Sequence, residues 1–273
     1  MSSFNLHLIS DATGETLQMI ANAAKNQFSV HQPKEFIWPM IRTEEQMQGV
    51  IKNIQKHPGV VLCTLVNKNL QRNLTISCSA LNIPCVDVLL PTMSALQNYL
   101  DTESQDEPGI QHKLDKEYFQ RINAMQFCLS HDDGQQVENL DKADVILVGV
   151  SRTSKTPTCM YLANRGIKAA NIPFVRGINP PAQLLELKYP IIIGLTNSVQ
   201  RLVQLRLNRL SQLKEKRDNM YANETSIKSE VEEARRFFSK NLWPVIDVTG
   251  RSIEETAAKI IQLLSKNRSS EIK

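Results

Sequence analysis

The sequence has few aromatic residues and no strong excess of charge of either sign. Phe, Trp and Tyr make up 5% of its 273 residues, and 32 basic side chains against 28 acidic ones leave a formal net charge of +4. Proteins that stack single-stranded bases need aromatic platforms, and nucleic-acid-binding domains usually have a large basic excess. The composition therefore argues against a nucleic-acid partner. With 41% hydrophobic and 22% charged residues, it predicts a folded globular protein of about two domains.

Long apolar runs and a cleavable leader are also missing. No run approaches the roughly 20 apolar residues that span a bilayer, and MSSFNLHLISDATGE has no basic start followed by an apolar core. We therefore expect a cytoplasmic protein with no membrane partner. The cysteines are odd in number, lack metal-ligand spacing and mostly have apolar neighbours, which predicts buried reduced thiols rather than disulfides or a zinc site. They are Cys63, Cys78, Cys85, Cys128 and Cys159.

Short apolar runs alternate with helical patterns in the N-terminal part of the chain. The runs at 4–9, 36–40, 60–66 and 85–89 predict strands, and the segments 15–27, 43–56 and 70–81 predict helices. Because the apolar runs are continuous rather than alternating, both faces of each strand are expected to be buried. This alternation of strand and helix predicts a parallel sheet with helices on both faces.

A change in composition separates this region from the rest of the chain. The segment DTESQDEPG at 101–109 is acidic and polar and contains a Pro-Gly pair, as an exposed linker does. A helix at 114–125 follows, then strands at 144–148, 191–195 and 244–248, and a final amphipathic helix at 253–264. No internal repeat is recognisable. We predict an α/β protein with an N-terminal Rossmann-like parallel-sheet domain, residues 1–110, and a P-loop kinase-like α/β domain, residues 111–273.

The segment DVILVGVSRTSKTPTCMYL contains the strongest functional pattern. It matches a P-loop between a buried strand and a helix, except that Ser154 replaces the second glycine, a position that often needs a left-handed backbone. In a P-loop, backbone N–H groups hold phosphate oxygens, the lysine reaches the terminal phosphate and the threonine hydroxyl binds Mg²⁺. Lys155 is thus a catalytic candidate and Thr156 a metal ligand. The predicted nucleotide-binding residues are Gly149, Val150, Ser151, Arg152, Thr153, Ser154, Lys155 and Thr156.

The same turn has a simpler interpretation as helix capping. A turn rich in Ser and Thr at a helix start provides N-caps, and Ser151 or Thr153 would then be the cap. The strand before the turn and the helix after it favour phosphate binding, because that context is what confirms a P-loop match. Pro157 fits the first turn of the helix, where proline is tolerated.

Three segments of the chain resemble one protein family. The run GVSRTSKTPTCMYLANRGIKAANIPFV closely resembles the bifunctional regulatory proteins of pyruvate, phosphate dikinase and of phosphoenolpyruvate synthase, and ISDATGET and LSHDDG match the same family. The resemblance extends along nearly the whole chain. The dikinase branch has Ser-Arg-Thr-Ser-Lys-Thr in the loop, whereas the synthase branch tends to have Cys-Gly-Lys-Thr. Ser154 therefore favours the dikinase as the target.

The resemblance implies an unusual activity. Such proteins are serine/threonine kinases that use ADP rather than ATP to inactivate their target at a threonine beside its catalytic histidine. They reverse the modification with inorganic phosphate and release pyrophosphate. For this chain the resemblance implies ADP and inorganic phosphate as substrates and pyruvate, phosphate dikinase as the protein partner, with the synthase as the alternative. Whether the two reactions share one site stays open.

His131-Asp132-Asp133-Gly134 is the second catalytic candidate. A kinase needs a carboxylate to orient or deprotonate the attacking hydroxyl, and often another to hold metal. On an extended strand adjacent side chains point in opposite directions, so at most one of the two aspartates would face the phosphates unless a turn brings them together. The alternative is an Asp-Gly turn with solvated carboxylates. With the resemblance, we favour Asp133 or Asp132 as the base and His131 as a supporting donor.

The turn at 10–16, SDATGET, lies after the first predicted strand, where doubly wound sheets bind ligands. It is either a second anion or partner site or a helix start capped by Asp11 or Thr13. The segment 200–217 has six basic residues and an apolar helical face, so its arginines either neutralise phosphoryl charge from a lid or form a solvated surface. A nucleic-acid face is a third alternative, which the low net charge disfavours. Asp247, at a strand end, either holds Mg²⁺ through water or caps the last helix.

Two other functions compete with a protein kinase and phosphorylase. The second half of the chain alone would fit a P-loop small-molecule kinase, and a nucleotide sensor without turnover is a third alternative. A small-molecule kinase rarely needs an additional parallel-sheet domain, which favours the first function. The apolar strands are compatible with a homodimer, but the sequence does not fix the oligomeric state.

Overall fold

The structure, a computed structural model, describes residues 4–28, 33–105, 107–109, 116–178, 180–187, 189–212 and 220–271. It divides into two compact units, Met1–Lys113 and Leu114–Lys273. This division falls close to the boundary expected after residue 110. Each unit contains a four-stranded sheet and its own apolar core, so the α/β fold class is confirmed.

The first unit alternates strands and helices. Its strands are β1 (Phe4–Ser10), β2 (Pro33–Trp38), β3 (Gly59–Thr64) and β4 (Cys85–Asp87), and its helices are α1 (Glu15–Lys25), α2 (Glu44–Lys56), α3 (Lys68–Ala80) and α4 (Leu90–Leu100). All paired strands are parallel, in the order β2-β1-β3-β4. The starts of two helices follow from local polar residues, because Thr43 and Gln46 form a capping box on α2 and Asn67 caps α3.

The interior strand β1 is buried on both faces, whereas the edge strands β2 and β4 contain no buried residue, so the expectation of burial on both faces is wrong for them. Ile9 of β1 belongs to a cluster with Met47 of α2 and Leu74 of α3. Leu8, the preceding residue, belongs to a second cluster with Leu17 of α1. Successive side chains of a strand point to opposite faces, so two apolar layers require the continuous apolar run that the sequence has here.

The second unit repeats this plan with more helices. Its strands are β5 (Val145–Gly149), β6 (Ala169–Pro173), β7 (Ile191–Thr196) and β8 (Val245–Asp247), and its helices are α5 (Lys116–Ser130), α6 (Lys155–Ala163), α7 (Gln183–Glu186), α8 (Val199–Gln212), α9 (Glu224–Lys240) and α10 (Ile253–Glu271). The paired strands are again parallel, in the order β6-β5-β7-β8. Every residue of β5 is buried, as expected for the central strand that carries the candidate loop.

The strand orders of the two units are the same. In each unit the first strand is second in the sheet, with the second strand at one edge and the third and fourth on the other side. The helix that follows the first strand also begins after a left-handed residue in both units, Gly14 before α1 and Ser154 before α6. The two units thus share a strand order and a left-handed helix start, although no repeat is recognisable in the sequence.

Four elements, β6, α4, α7 and α9, were not predicted from the sequence. β6 contains two alanines, an asparagine and a proline, which are poor strand formers, and it is an edge strand where proline is tolerated. α4 and α9 also lie in segments for which no helix was predicted; α9 is amphipathic, and none of the α4 residues is buried. The predicted helix start at 114–115 and the basic residues at 213–217 lie outside the described residues.

The remaining general expectations concern cysteines and membrane spans. All five cysteines are free, and all but Cys85 are buried, in agreement with their apolar neighbours. None of the helices in the described ranges combines the length and apolar character that a membrane span requires. The final helix buries Ala257, Ile260 and Leu264 against the sheet, which confirms its predicted apolar face.

Candidate functional site

The turn between β5 and α6 is the segment in which the sequence predicts a P-loop. Arg152 and Ser154 are left-handed, with φ of 73° and 59°, so Ser154 adopts the conformation that the P-loop pattern assigns to its second glycine. A left-handed backbone costs a non-glycine residue of order 1–2 kcal/mol. Such residues aim successive backbone N–H groups into one concave surface that binds anions.

Gly149 is required for space and not for a left-handed backbone. Gly149 is not among the glycines with positive φ. A β-carbon built on it would lie 2.6 Å from the carbonyl oxygen of Leu195 and 2.8 Å from Thr153 Oγ1. The glycine therefore permits β5 to approach β7 and allows the Thr153 side chain to fold beneath the loop, where its hydroxyl donates to the Val150 carbonyl at 2.9 Å.

The start of α6 is not capped by a side chain. Ser154 occupies the N-cap position without a side-chain hydrogen bond to the helix. The capping interpretation is therefore wrong, since Thr153 donates to Val150 and the Ser151 hydroxyl pairs with Tyr221 Oη at 3.0 Å. Pro157, which has no N–H, lies within the first turn as predicted. A helix N-terminus without a protein cap offers its N–H groups to an anion.

Lys155 is a buried cation at the first position of α6. Its residue exposure is 7%, and Nζ donates to the Val150 carbonyl at 3.1 Å. Burial lowers the pKa of Lys155 from the usual 10.5 to about 8, and the negative charges of Asp133 and Asp132 oppose this shift. A buried ammonium group is poorly solvated, so a phosphate group bound beside it would stabilise its charge.

A cavity of about 430 Å³ lies over the loop. This volume is within the usual range for small-molecule sites. Gly149, Val150, Asp132 and His131 do not line it. The residues that do are Asp133, Ser151, Arg152, Thr153, Ser154, Lys155, Thr156, Pro157, Asn171, Pro173 and Leu205.

Asp132 is joined to the loop by a triangle of hydrogen bonds. Thr156 Oγ1 donates to Asp132 Oδ1 at 2.9 Å, and Asn171 Nδ2 donates to the same carboxylate oxygen and, at 2.8 Å, to Thr156 Oγ1. Sequence reasoning missed Asn171, which comes from the unpredicted strand β6 and is 1% exposed. The available signal was a polar residue within the otherwise apolar AANIPFV segment.

Asp133 faces the cavity while Asp132 contacts its wall. Both lie in a short 3₁₀ turn, Asp132–Gly134, in which Asp133 is left-handed with φ of 55°. The argument from an extended strand therefore does not apply, and the turn allows both carboxylates to act on the loop. Asp133 is exposed and lines the cavity directly, and its charge supports protonated Lys155 more strongly than that of Asp132.

His131 is a buried neighbour of this turn. It is 3% exposed, stacks on Phe127 with 3.8 Å between ring centroids, and its Nδ1 lies 2.8 Å from the Phe127 carbonyl. Its own carbonyl accepts a hydrogen bond from the Asn171 backbone N–H at 3.2 Å. These contacts place it behind the cavity wall, beside the strand that carries Asn171.

The basic helix α8 contributes one buried arginine. Arg206 is 3% exposed, whereas Arg201 and Arg209 are exposed, so the solvated-surface interpretation is wrong for Arg206. Leu205, the adjacent residue, lines the cavity. The basic residues beyond Gln212 lie outside the described residues.

Asp247 neither caps α10 nor lines the cavity. Its carboxylate accepts from the Thr249 N–H at 2.9 Å and from Arg235 Nη2 at 3.3 Å. Ser252 caps α10 instead, because its hydroxyl accepts from the Glu255 N–H at 3.1 Å. The capping interpretation of Asp247 is therefore wrong.

The turn at 10–16 lines a separate cavity of about 310 Å³ in the first unit. Capping is not the role of Asp11, whose Oδ2 accepts from the Val66 N–H at 2.8 Å, and Gly14 is the N-cap of α1. Burial raises the pKa of the Asp11 carboxyl. The lining includes Asp11 and Glu107 but no Lys or Arg, so it does not favour an anion.

These features are those of an α/β enzyme that handles phosphate. They are the sheet order, the left-handed loop, the buried lysine and the paired carboxylates. The chain belongs to the kinase/pyrophosphorylase family, whose model matches residues 6–261. It is 49% identical over 263 residues to a protein of Erythrobacter litoralis, covering 96% of this chain and 95% of that protein. It is 48% identical over 264 residues to a protein of Rhodospirillum rubrum, with coverage of 97% and 96%. Both relatives bear the name "Putative pyruvate, phosphate dikinase regulatory protein".

Proposed function

We propose that this protein is a bifunctional serine/threonine kinase and phosphorylase that regulates pyruvate, phosphate dikinase. In one direction it phosphorylates a threonine near the catalytic histidine of the dikinase with ADP as donor. In the other it removes that phosphate with inorganic phosphate and releases pyrophosphate. The observation that carries the proposal is the junction of the loop Ser151–Thr156 with Asp132 and Asp133. It unites a phosphate cradle, a buried cation and two carboxylates at one cavity.

ADP and inorganic phosphate fit the same cradle. The uncapped start of α6 and the left-handed residues Arg152 and Ser154 supply N–H groups for phosphate oxygens, and Lys155 supplies the charge. In the kinase direction the phosphoryl group leaves the phosphate of AMP, and in the other direction it moves onto inorganic phosphate. Inorganic phosphate thus takes the place of the AMP phosphate, so one site is sufficient for the two directions. We therefore propose a single shared site.

Mg²⁺ fits the oxygen donors of this site. Thr156 Oγ1 and the Asp132 carboxylate are 2.9 Å apart, and such oxygens are the ligands that Mg²⁺ prefers. No group of three or more His, Cys, Asp or Glu in the described parts of the chain could hold a metal, so the ion would depend on substrate phosphate and water for its remaining ligands. When bound, it would neutralise phosphate charge during transfer.

The two aspartates have different proposed roles. Asp132 orients Thr156 through the hydrogen-bond triangle, and Asp133, which faces the cavity, is the base. In the kinase direction the threonine oxygen bonds to the β-phosphorus of ADP, the bond from that phosphorus to the bridging oxygen breaks, and AMP leaves while Asp133 takes the hydroxyl proton. In the reverse direction an oxygen of inorganic phosphate bonds to the phosphothreonine phosphorus. The threonine oxygen leaves and regains the proton, and pyrophosphate is released.

The dikinase is preferred to the synthase as the target. Ser154 occupies the position where the synthase branch has glycine, and two relatives at 48–49% identity are named for the dikinase. The test incubates the protein with purified dikinase or purified synthase, each with ADP or ATP, and maps phosphothreonine by mass spectrometry. We expect phosphothreonine on the dikinase with ADP only. Phosphothreonine on the synthase alone would mean that the synthase is the target. No phosphothreonine on either protein would refute the proposed function.

Variants test the assigned residues in the same assay. Asp133→Asn is expected to abolish transfer in both directions while ADP still binds. Asp132→Asn is expected to raise the Mg²⁺ concentration that gives half the maximal rate. Asp141→Asn, an exposed aspartate of the same unit, is the matched control and should behave as wild type. Unchanged turnover in Asp133→Asn would remove that residue as the base. Binding of ADP without transfer in the unmodified protein would favour the nucleotide-sensor alternative.

A further inference from the structure

Arg206 is a buried cation that contacts the back of the phosphate-binding loop. It lies within α8 and is 3% exposed. Its Nη2 pairs with Glu230 Oε2 of α9 at 2.8 Å and donates to the Ser151 carbonyl at 3.2 Å. Its Nη1 donates to the Tyr221 carbonyl at 3.1 Å. The guanidinium thus joins two helices and a 3₁₀ turn to one peptide of the loop.

Tyr221 holds the same loop residue by a second contact. Its ring centroid is 4.9 Å from Arg206 Cζ, and its hydroxyl lies 3.0 Å from Ser151 Oγ. Ser151 is therefore fixed both at its carbonyl and at its side chain. A buried ion pair is an expensive way to fill space, because apolar residues of similar volume often stabilise a fold as well or better. Its retention here indicates a requirement for orientation.

The Ser151 carbonyl and the Arg152 N–H belong to one peptide group, so fixing the first also fixes the second. The peptide between Ser151 and Arg152 is trans, so the Ser151 carbonyl and the Arg152 N–H point in opposite directions. With the carbonyl directed to Arg206, the N–H is directed away from it. Arg152 is also left-handed, a conformation that persists only when surrounding contacts impose it.

We propose that Arg206 is a positioning residue for the phosphate site, which turns the Arg152 N–H toward bound phosphate by holding the Ser151 carbonyl from behind. Glu230 neutralises the guanidinium, and Tyr221 fixes its plane. This inference rests on the proposed function of the loop. It differs from the lid role considered for the arginines of this helix, because Arg206 acts on the protein backbone and does not touch the substrate.

Substitutions at the network should weaken phosphate binding without removing any group that contacts phosphate. Arg206→Gln should raise the dissociation constants of inorganic phosphate and of MgADP by about tenfold each, since both use the same N–H groups. Arg206→Lys keeps a charge for Glu230 but cannot reach both carbonyls, so it should fall between wild type and Arg206→Gln. Tyr221→Phe removes one hydroxyl contact and should weaken binding by about threefold with an unchanged melting temperature.

The experiment titrates inorganic phosphate and MgADP into each full-length variant by calorimetry, beside thermal unfolding and the kinase assay. Arg209→Gln, an exposed arginine of the same helix, is the matched control. A positioning role raises dissociation constants and the KM for ADP at full binding stoichiometry. A merely structural role instead lowers the active fraction and leaves the dissociation constant unchanged, which would overturn the inference. If Arg206→Gln does not fold, Arg206→Lys and Tyr221→Phe decide by the same criterion.

A further variant separates this inference from the proposed function. Lys155→Met should lose phosphate binding whether or not Arg206 acts on the loop. If Lys155→Met binds phosphate as wild type does, the loop is not the site and the proposed function fails with it. If Lys155→Met loses binding while Arg206→Gln and Tyr221→Phe match the Arg209→Gln control, only the positioning role is refuted.

Discussion

At the scale of single residues, the site concentrates groups that are costly to the fold. Lys155 is charged and nearly inaccessible to water, and Arg152, Ser154 and Asp133 have left-handed backbones without being glycine. Each feature opposes folding, and the buried charge of Lys155 and the left-handed Arg152 and Ser154 are accounted for if a phosphate group completes the site. Such local conflicts are expected at functional positions and not in a core selected for stability alone.

Replacement of Lys155 should therefore stabilise the protein while inactivating it. The pKa of Lys155 falls from 10.5 to about 8 on folding, so at pH 7 its charge costs the folded state about 3 kcal/mol. We expect Lys155→Met to raise the free energy of unfolding by a similar amount and to abolish phosphate binding. Urea denaturation at pH 7 measures the first effect, and Lys259→Met, at an exposed position of α10, is the control.

The same pKa gives the sign of a pH effect. Between about pH 8 and pH 10.5 the unfolded chain still holds the Lys155 proton that the folded protein has released. Stability therefore rises with pH across this window, because the unfolded state binds more protons. The gap between Lys155→Met and wild type should narrow as denaturation is repeated from pH 8 to pH 10.5. A gap that stays constant would mean that Lys155 remains charged in the fold.

Replacement of Asn171 should lower activity with little effect on stability. Its Nδ2 serves Asp132 and Thr156, while its buried Oδ1 has no hydrogen-bond partner within the described part of the chain. Asn171→Leu removes an unsatisfied acceptor, so the melting temperature should change little, but kcat should fall by about tenfold or more as the triangle is lost. Asn53→Leu, at a first-unit asparagine with the same unpaired oxygen, should leave kcat unchanged.

At the scale of elements, the site depends on how closely β5 and β7 approach. Gly149 ends β5 beside the Leu195 carbonyl, and the loop starts from that contact. Because β5 is short and completely buried, it holds the first residue of the loop in place. The loop ends where α6 begins, at Lys155.

Gly149→Ala should distort the start of the loop. The new methyl group would lie 2.6 Å from the Leu195 carbonyl oxygen, so we expect a loss of about 1–3 kcal/mol in the free energy of unfolding and weaker phosphate binding. Gly49→Ala in α2 is the contrast, since nothing lies within 4 Å of its added methyl group. That variant should gain about 0.5–1 kcal/mol from helix propensity. Thermal unfolding of both variants checks the opposite signs.

Elements with a strong local pattern were predictable from sequence, and those defined by distant contacts were not. The continuous apolar run of β5 and the loop after it were found because strand, turn chemistry and helix follow one another directly. β6 was missed because its small and polar residues become a strand only by pairing with β5. Asn171 was missed with it. Likewise, nothing local separates Arg206 from the exposed Arg209, because its burial depends on Glu230 and Tyr221.

At the scale of the whole molecule, the candidate chemistry belongs to one unit. Every residue that lines the cavity over the loop lies in Leu114–Lys273, and the turn at 10–16 lines a different cavity in Met1–Lys113, whose lining includes Asp11 and Glu107 but no Lys or Arg. The two cavities differ in charge, so they are not suited to the same ligand. The small net charge of +4 is compatible with a site of this kind, because the cations Arg152 and Lys155 lie in the loop itself.

Ligand binding should accordingly stabilise the units unequally. At about one hundred times its dissociation constant, MgADP should stabilise the unit that binds it by about 2.7 kcal/mol. Hydrogen exchange of the full chain should slow at Gly149–Thr156, in α6 and at Arg206, with little change in β1–β4. Equal protection of both units would contradict the confinement of the site to the second.

The common strand order gives two turns of the chain equivalent places. In each unit the helix after the first strand starts behind a left-handed residue, Gly14 in the first unit and Ser154 in the second. The residue that follows is Glu15 in the first unit and Lys155 in the second. A carboxylate at this position repels phosphate, whereas an ammonium group attracts it. The same backbone plan therefore serves opposite charges in the two halves of one chain.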